Sequence, residues 1–354
     1  MTDVPILARL EGPLGRVSLN RPKALHALNL EMCQLMVAAL MAWRDDPAVT
    51  AILLDHTGDR GFCAGGDIRM LAESGAKDSV EAKAFFRLEY QLNALLQSYP
   101  KPVIALMDGI TMGGGVGISV HGSFRIATER TVFAMPETGI GLFPDVGGGW
   151  FLPRLPEPEM GTWLALTGAR LGGQECVAAG IATHFIPTEL LGAARAQIAG
   201  AAGTHDPARA LRSGLDALCE ANGKPIIPAP GALVPLFGFN TVEEIFAALE
   251  ADGGEWPLKQ LATLRTKSPQ TLKVALRQVR SGAKMARFED NMAMEFRIGA
   301  RVVSRLDFLE GVRAVIVEKD NAPRWSPATL EGVTEALLDE IFAPLPPSEE
   351  WHPL

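Results

Sequence analysis

Four short stretches hold residues whose types and spacing could carry chemistry. The first reads TMGGGVGISVHG, residues 111–122, with three consecutive glycines, Gly113 to Gly115. Glycine costs roughly 0.5–1 kcal/mol against alanine inside a helix. Three in a row therefore mark either a tight packing turn or a place where something must come close to the backbone. A strand-like KPVIALMDG precedes them and an apolar VGISV follows. A strand–glycine–helix junction leaves backbone N–H groups at a positive helix end, which suits a phosphate or an oxyanion. No Gly-Lys-Ser/Thr follows, so this is not a nucleoside-triphosphate loop. On these residues alone, a packing turn and an anion site are equally good readings.

GFCAGGDIRML (61–71) repeats the pattern after the strand-like TAILLDHTG. Gly65 and Gly66 permit a sharp turn, and Asp67 could cap a helix opening at Ile68. Taken alone this is a capped loop. Taken with the first junction it becomes informative, because a carbonyl oxygen turning into an oxyanion needs two converging N–H donors. The third stretch is TVFAMPETGIGLFPDVGGGWFLPRL (131–155), with Glu137 closing a strand-like run and Asp145 eight residues later in a glycine-rich loop. Two carboxylates beside one pocket could divide acid and base roles; two solvated turn acids are the plainer alternative. Fourth, in SVEAKAFFRLEYQLNALLQS, Glu89 stands at i+4 from Phe85 and i−3 from Leu92, on the apolar stripe that continues to Leu96. A carboxylate there is costly unless it is paired, neutral or facing a pocket. A salt bridge to an arginine and a hydrogen bond to a substrate are both open.

The elements that must position these residues alternate. GRVSLN, TAILLDHTG, KPVIALMDG, SFRIAT, TVFAMPE and IATHFIP read as strands. LNLEMCQLMVAALMAWRDD and SVEAKAFFRLEYQLNALLQS have helical periodicity, and the alternation argues for an α/β class. GKPIIPAPGALVPLFGF (223–239) reads as a linker, after which the pattern turns mainly helical. Two parts are thus expected, 1–222 and 223–354. In the second, Asn240 could cap TVEEIFAALEA with Glu243 three residues on, and Ser268 could cap a helix with Pro269 at its first position. SPATLEGVTEALLDEIF reads by the same scheme.

Composition bounds the function. The 354 residues carry 33 Lys and Arg against 41 Asp and Glu, a net charge of −8. That field attracts neither nucleic acid nor an anionic membrane, so an anionic ligand must be met by local cations or N–H groups. No apolar run reaches the roughly 18 residues of a membrane span. The start lacks the apolar core of a signal peptide. Cys33, Cys63, Cys176 and Cys219 lie far apart without metal-ligand spacing. They read as reduced packing residues of a cytoplasmic protein.

Together the four segments resemble the crotonase, or enoyl-CoA hydratase/isomerase, superfamily. The matching stretches include VSLNRPKALHALN, FCAGGDIRML, KPVIALMDGITMGGGVGISVHG, FAMPETGIGLFPDVGGGWFLPRL, LTGARLGGQECVAAGIATHF and the tail DFLEGVRAVIVEKDNAPRWSPATLEGV. MDGITMGGGVG with MPETGIGLFPDVGGG is similar to its 3-hydroxyisobutyryl-CoA hydrolase branch. The resemblance implies a spiral of ββα repeats, a C-terminal helical region covering the site, and a small-molecule acyl-CoA substrate. A homo-oligomer is compatible with it. It implies that the Gly66 and Gly114 N–H groups hold the thioester oxygen, that Ala64, Asp67 and Ile68 run along the adenine end of CoA, and that Lys23 lies near the CoA phosphates. Glu89, Glu137 and Asp145 match the acyl-pocket residues of the hydrolase branch, and no metal or redox cofactor is implied. Hydratases of the superfamily carry a glutamate where this chain has Gly117, which argues against efficient hydration. His26 stands where many relatives carry Asn and reads as a packed or surface histidine. The expected activity is thioester hydrolysis, of 3-hydroxyisobutyryl-CoA in valine breakdown. Glu137 would act as nucleophile or base, Asp145 as acid partner or as the group orienting the 3-hydroxyl, and Glu89 as a hydrogen-bonding group for the acyl chain. The alternatives are an enoyl-CoA hydratase or isomerase, a non-catalytic acyl-CoA-binding protein, and an RNA-binding relative that the acidic balance disfavours.

Overall fold

A computed structural model describes residues 4–219 and 231–354. Branched, turn-bounded runs form the strands β1 Ile6–Glu11, β2 Leu14–Leu19, β3 Ala51–His56, β4 Gly61–Cys63, β5 Val103–Met107, β6 Ile110–Met112, β7 Phe124–Ala127, β8 Val132–Ala134, β9 Leu171–Gly172 and β10 His184–Phe185. They pair into a six-stranded sheet, β1-β2-β3-β5-β7-β10, and a four-stranded one, β4-β6-β8-β9. The hairpin β1–β2 is antiparallel, while β2–β3, β3–β5, β5–β7 and β7–β10 are parallel. Strands β3 and β4, β5 and β6, and β7 and β8 each put one member in the large sheet and the next in the small one. A helix follows each pair, which is the expected ββα spiral.

By contacts the chain divides into two compact units: Met1–Gly66 with Gln91–Phe133 and Arg170–Ile226, and Asp67–Tyr90 with Ala134–Ala169 and Ile227–Leu354. The expected boundary between 222 and 223, with the start of the linker, lies outside the described residues. Each unit gathers three separate stretches, so neither is one continuous run of sequence.

The first unit carries the sheets, save the last residue of β8. Ala51 and Leu53 of β3, Ile104 and Leu106 of β5, and Phe124 and Ile126 of β7 share one face, as period-2 alternation requires. They pack against Ile198, Leu211 and Leu215 from the helices Leu191–Ala202 and Pro207–Asp216. Each fully buried Leu or Ile contributes about 1.5–3 kcal/mol. Cys33, Cys63 and Cys176 are buried among these elements. His26, at 2% exposure, is a packed residue: its Nδ1 accepts from the Arg21 N–H at 3.0 Å and its Nε2 meets the Thr57 carbonyl at 2.9 Å. Burial, with His56 beside it, lowers its imidazole to about 4, so it stays neutral at physiological pH.

The second unit is helical, and among the described residues no strand follows Phe185. The helix Pro269–Gly282 begins as expected, with the Ser268 side chain accepting from the Thr271 N–H. Two expectations are corrected. Thr241, not Asn240, caps Val242–Asp252, in a capping box with Glu244. Thr241 has the extended backbone a cap needs and a hydroxyl in reach of the third helical N–H. Of SPATLEGVTEALLDEIF only Glu335–Phe342 is helical, capped by Thr334. Two candidate caps, Ser326 and Thr334, precede the same apolar run, and the later one wins. No helix among the described residues is long and apolar enough to cross a membrane.

Candidate active site

In the first unit, β4 and β6 run parallel and end side by side. Beyond β4 the chain turns through Gly65, at φ +115°, and beyond β6 through Gly113, at φ +47°. Both values lie where L side chains are strained. A Cβ at Gly65 would stand 3.8 Å from the Gly114 nitrogen and 3.5 Å from the Met112 carbonyl oxygen, so the two glycine turns touch. One at Gly115 would collide with the Cys63 carbonyl oxygen, which is why a run of glycines is needed there. Gly114 opens the one-turn helix Gly114–Gly117. Among the described residues, neither the Gly66 nor the Gly114 N–H donates to a backbone group of a turn, loop or cap.

The segment carrying Lys23 lies along the same loop. The Ala64 N–H donates to the Leu25 carbonyl at 3.0 Å, and the Leu28 N–H to the Gly65 carbonyl at 2.8 Å. Lys23 itself is exposed in the short 3-10 turn Pro22–Ala24. The structure thus places Lys23, Ala64, Gly66 and Gly114 on adjoining segments.

The second unit gathers the acids. Asp67 caps Ile68–Gly75 there, its carboxylate accepting from the Met70 N–H at 3.4 Å. The helix Val80–Gln97 delivers Glu89 and, next to it, Tyr90. Glu137 opens a 3-10 turn after β8, and its own carbonyl accepts from the Leu142 N–H at 3.0 Å. Asp145 sits on the glycine-rich loop, where its carboxylate accepts from the Tyr90 hydroxyl at 2.9 Å. Exposure is 2% for Glu89, 4% for Glu137 and 5% for Asp145, so none is a solvated turn acid. Among the described residues no arginine is hydrogen-bonded to Glu89 Oε1, which has no partner, and Glu137 Oε2 has none either.

Burial decides the charge of these groups. It raises Glu89 well above the usual carboxyl range, and the charges of Asp145 and Glu137 add to that. Glu137 is raised in the same way, by burial and then by Asp145. Burial lifts Asp145 to about 7, with the Tyr90 hydroxyl pulling the other way. Like charges this close cannot all ionise. Near neutral pH the group holds few negative charges and several acidic protons, the set that nucleophilic or acid–base chemistry uses.

Two members escaped the reading of the sequence. Tyr90 looked like one more aromatic on a helix; its position directly after Glu89 was the available signal. Glu295, fully buried on the helix Phe288–Val302, accepts from the N–H groups of Gly147 and Gly149. Burial lifts it to about 7. Nothing in its neighbourhood along the chain sets it apart from an ordinary helix glutamate.

The sequence profile of the enoyl-CoA hydratase/isomerase family matches residues 14–342. The chain belongs to that family. Within it, the chain is 45% identical over 338 residues to the 3-hydroxyisobutyryl-CoA hydrolase, mitochondrial, of Xenopus laevis, covering 94% of this chain and 87% of that one. To the protein of the same name from Homo sapiens it is 42% identical over 355 residues, covering 97% and 90%. Among solved structures of the enoyl-CoA hydratase/isomerase fold, a carnitinyl-CoA dehydratase from Mycobacterium thermoresistibile superposes with a TM-score of 0.90 at 37% identity, covering 97% of each chain. An enoyl-CoA hydratase from Rhodobacter sphaeroides 2.4.1 superposes with a TM-score of 0.84 at 36% identity, covering 98% and 99%. The cytoplasmic placement expected from the cysteines is corrected by these relatives, whose names place them in the mitochondrion. Reduced thiols tell a reducing compartment from an oxidising one, and not one reducing compartment from another.

Proposed function

We infer that this chain is an acyl-CoA thioester hydrolase, converting 3-hydroxyisobutyryl-CoA and water into 3-hydroxyisobutyrate and CoA, a step of valine breakdown. The observation that carries the reading is the buried pair of Glu137 and Asp145: one carboxyl has an oxygen without a hydrogen-bond partner among the described residues, and the other is held by Tyr90. Relatives bearing the hydrolase name, at 42–45% identity over nearly the whole chain, support it.

Once pH has risen through about 7 the pair has lost one of its two protons and shares one negative charge. When the charge is on Glu137, the proton is on Asp145. Glu137 then attacks the thioester carbonyl, the C–S bond breaks, and the departing sulfur takes the Asp145 proton. This leaves an acyl–Glu137 anhydride, free CoA thiol and an Asp145 carboxylate. Water loses a proton to Asp145 and attacks the acyl carbon; the hydroxy acid leaves and Glu137 is a carboxylate again. Direct activation of water by Glu137 uses the same two groups and the same protons. Oxyanion charge on the thioester oxygen calls for two N–H donors, the role proposed for Gly66 and Gly114. Glu89, neutral at this pH, donates to the acyl hydroxyl. Lys23, Ala64, Asp67 and Ile68 are the proposed CoA contacts. No metal or redox group takes part in these steps.

Hydration of an enoyl-CoA is the second reading, favoured by the names of the two solved structures. Against it stands Gly117, a buried glycine in place of a second catalytic acid. The test follows thiol release from 3-hydroxyisobutyryl-CoA beside absorbance loss with crotonyl-CoA. Rapid thiol release with slow absorbance loss is the expected result; absorbance loss outpacing thiol release would hand the function to the hydratase reading.

A further inference from the structure

Glu295 takes no part in the hydrolysis just described, yet its carboxylate accepts four hydrogen bonds. Its Oε2 accepts from the Gly147 N–H at 2.7 Å; its Oε1 accepts from the Gly149 N–H at 2.9 Å, Asn291 Nδ2 at 2.9 Å and Gln278 Nε2 at 3.0 Å. Gln278 Nε2 also donates to the Pro144 carbonyl at 2.7 Å. These bonds bracket Asp145, one residue before it and two and four residues after. Between them Val146 holds φ +51° and Gly147 φ +89°. A β-branched residue in that region is strained and persists only where the surroundings over-determine it. Glycine is needed at 149 as well, since a Cβ there would stand 2.5 Å from Asn291 Oδ1. The Glu295 carboxylate thus ties the strained loop to the helix Phe288–Val302, and Gln278 ties it to the helix Pro269–Gly282.

We propose that Glu295 is a positioning residue: through the N–H groups of Gly147 and Gly149 it holds the strained loop that aims Asp145, and so governs the rate of thioester cleavage rather than substrate affinity. The inference rests on the role given to Asp145 above. Two of the four donors, the Gly147 and Gly149 N–H groups, are backbone and sit on different oxygens, so a glutamine in its place must turn its N–H₂ group toward one of them. The least costly choice surrenders the bond to Gly147, the residue two after Asp145.

The test measures kcat and KM for thiol release from 3-hydroxyisobutyryl-CoA by the wild type, E295Q, D145N and the double variant, each well below its melting temperature. A misplaced catalytic group costs up to about a hundredfold, so E295Q should lose about ten- to a hundredfold in kcat. Its KM should stay within about threefold. The double variant should be no slower than D145N alone, because aim matters only while the Asp145 carboxyl is present. If E295Q does not fold, Gln278→Met takes its place. It removes the tether to Pro144 and one bond to Glu295, and should show the same kcat loss, smaller, and the same non-additivity. A folded variant with wild-type kcat, or one whose loss multiplies with that of D145N, overturns the positioning role alone. D145N turning over at the wild-type rate overturns the Asp145 reading, and this inference with it.

Discussion

At the scale of single residues, the three acids are defined by what burial does to their protons. Glu137→Gln removes the proposed nucleophile or base while keeping the shape of the side chain. Loss of one oxyanion donor costs about 10²–10³ in rate, and loss of a nucleophile should cost at least that. Thiol release by E137Q should fall accordingly while CoA still binds; near-native turnover would move the role to Asp145. Turnover should rise with pH through about 7, where Asp145 and its partner lose the first of their protons. The Tyr90 hydroxyl holds Asp145 below what burial alone would give. In Tyr90→Phe the rising limb of the pH–rate profile should therefore move to higher pH, and an unmoved limb would assign that limb to another group. Glu89→Gln tests substrate choice. If Glu89 meets the acyl hydroxyl, the variant should lose far more on 3-hydroxyacyl-CoA than on a plain acyl-CoA of equal length. Equal losses on both, with a lowered Tm, would return Glu89 to a structural role.

The same protons set the pH dependence of stability. An unfolded aspartate titrates near 3.9, whereas folded Asp145 titrates at about 7. Between those values the folded chain binds more protons than the unfolded one, so stability is fully present at the acid end of the window and declines as pH rises through it. Thermal melts from about pH 5 to about pH 8 should show a falling Tm, with the decline flattened in D145N, whose amide has no charge to bury. A D145N profile as steep as that of the wild type would assign the decline to other groups, Glu295 foremost.

At the scale of elements, the helix Val80–Gln97 shows how far local pattern reaches. Phe85, Glu89, Leu92 and Leu96 share a stripe at helical spacing, and all four are buried. The wrong polarity at one place on that stripe was the legible sign of a candidate site residue. Tyr90 lies about 100° round the helix from Glu89, and is buried as well because the covered face is wide. No stripe rule marks it. The glycine turns were legible for a steric reason: residues at 113 to 115 must allow β4 and β6 to end side by side. Gly115→Ala would drive a Cβ into the Cys63 carbonyl. A clash with backbone cannot be relieved by a rotamer change, so the variant should be destabilised by about 1–3 kcal/mol. Chemical denaturation measures this, and an unchanged midpoint would show that the β4–β6 junction yields more readily than its geometry implies. The shift of a cap from Asn240 to Thr241 marks the other limit, since neighbouring polar residues with similar capping ability are told apart only by backbone dihedrals.

For the whole molecule, the amino-acid sequence by itself determined the alternation of strands and helices, the membership of the family, the two glycine turns and the three acids of the hydrolase pattern. These are encoded in side-chain type at short spacing, or in wording shared with relatives. Tertiary structure alone decided what state those acids are in. That Glu137 and Asp145 feel each other's charge, that Tyr90 reaches Asp145 across 55 residues, and that Glu295 grips the Asp145 loop from 148 residues away are long-range facts. So is the gathering of three separate stretches into each compact unit. A carboxyl's charge depends on the water it loses and the donors it meets. Both are supplied by segments far off along the chain, which local pattern does not name.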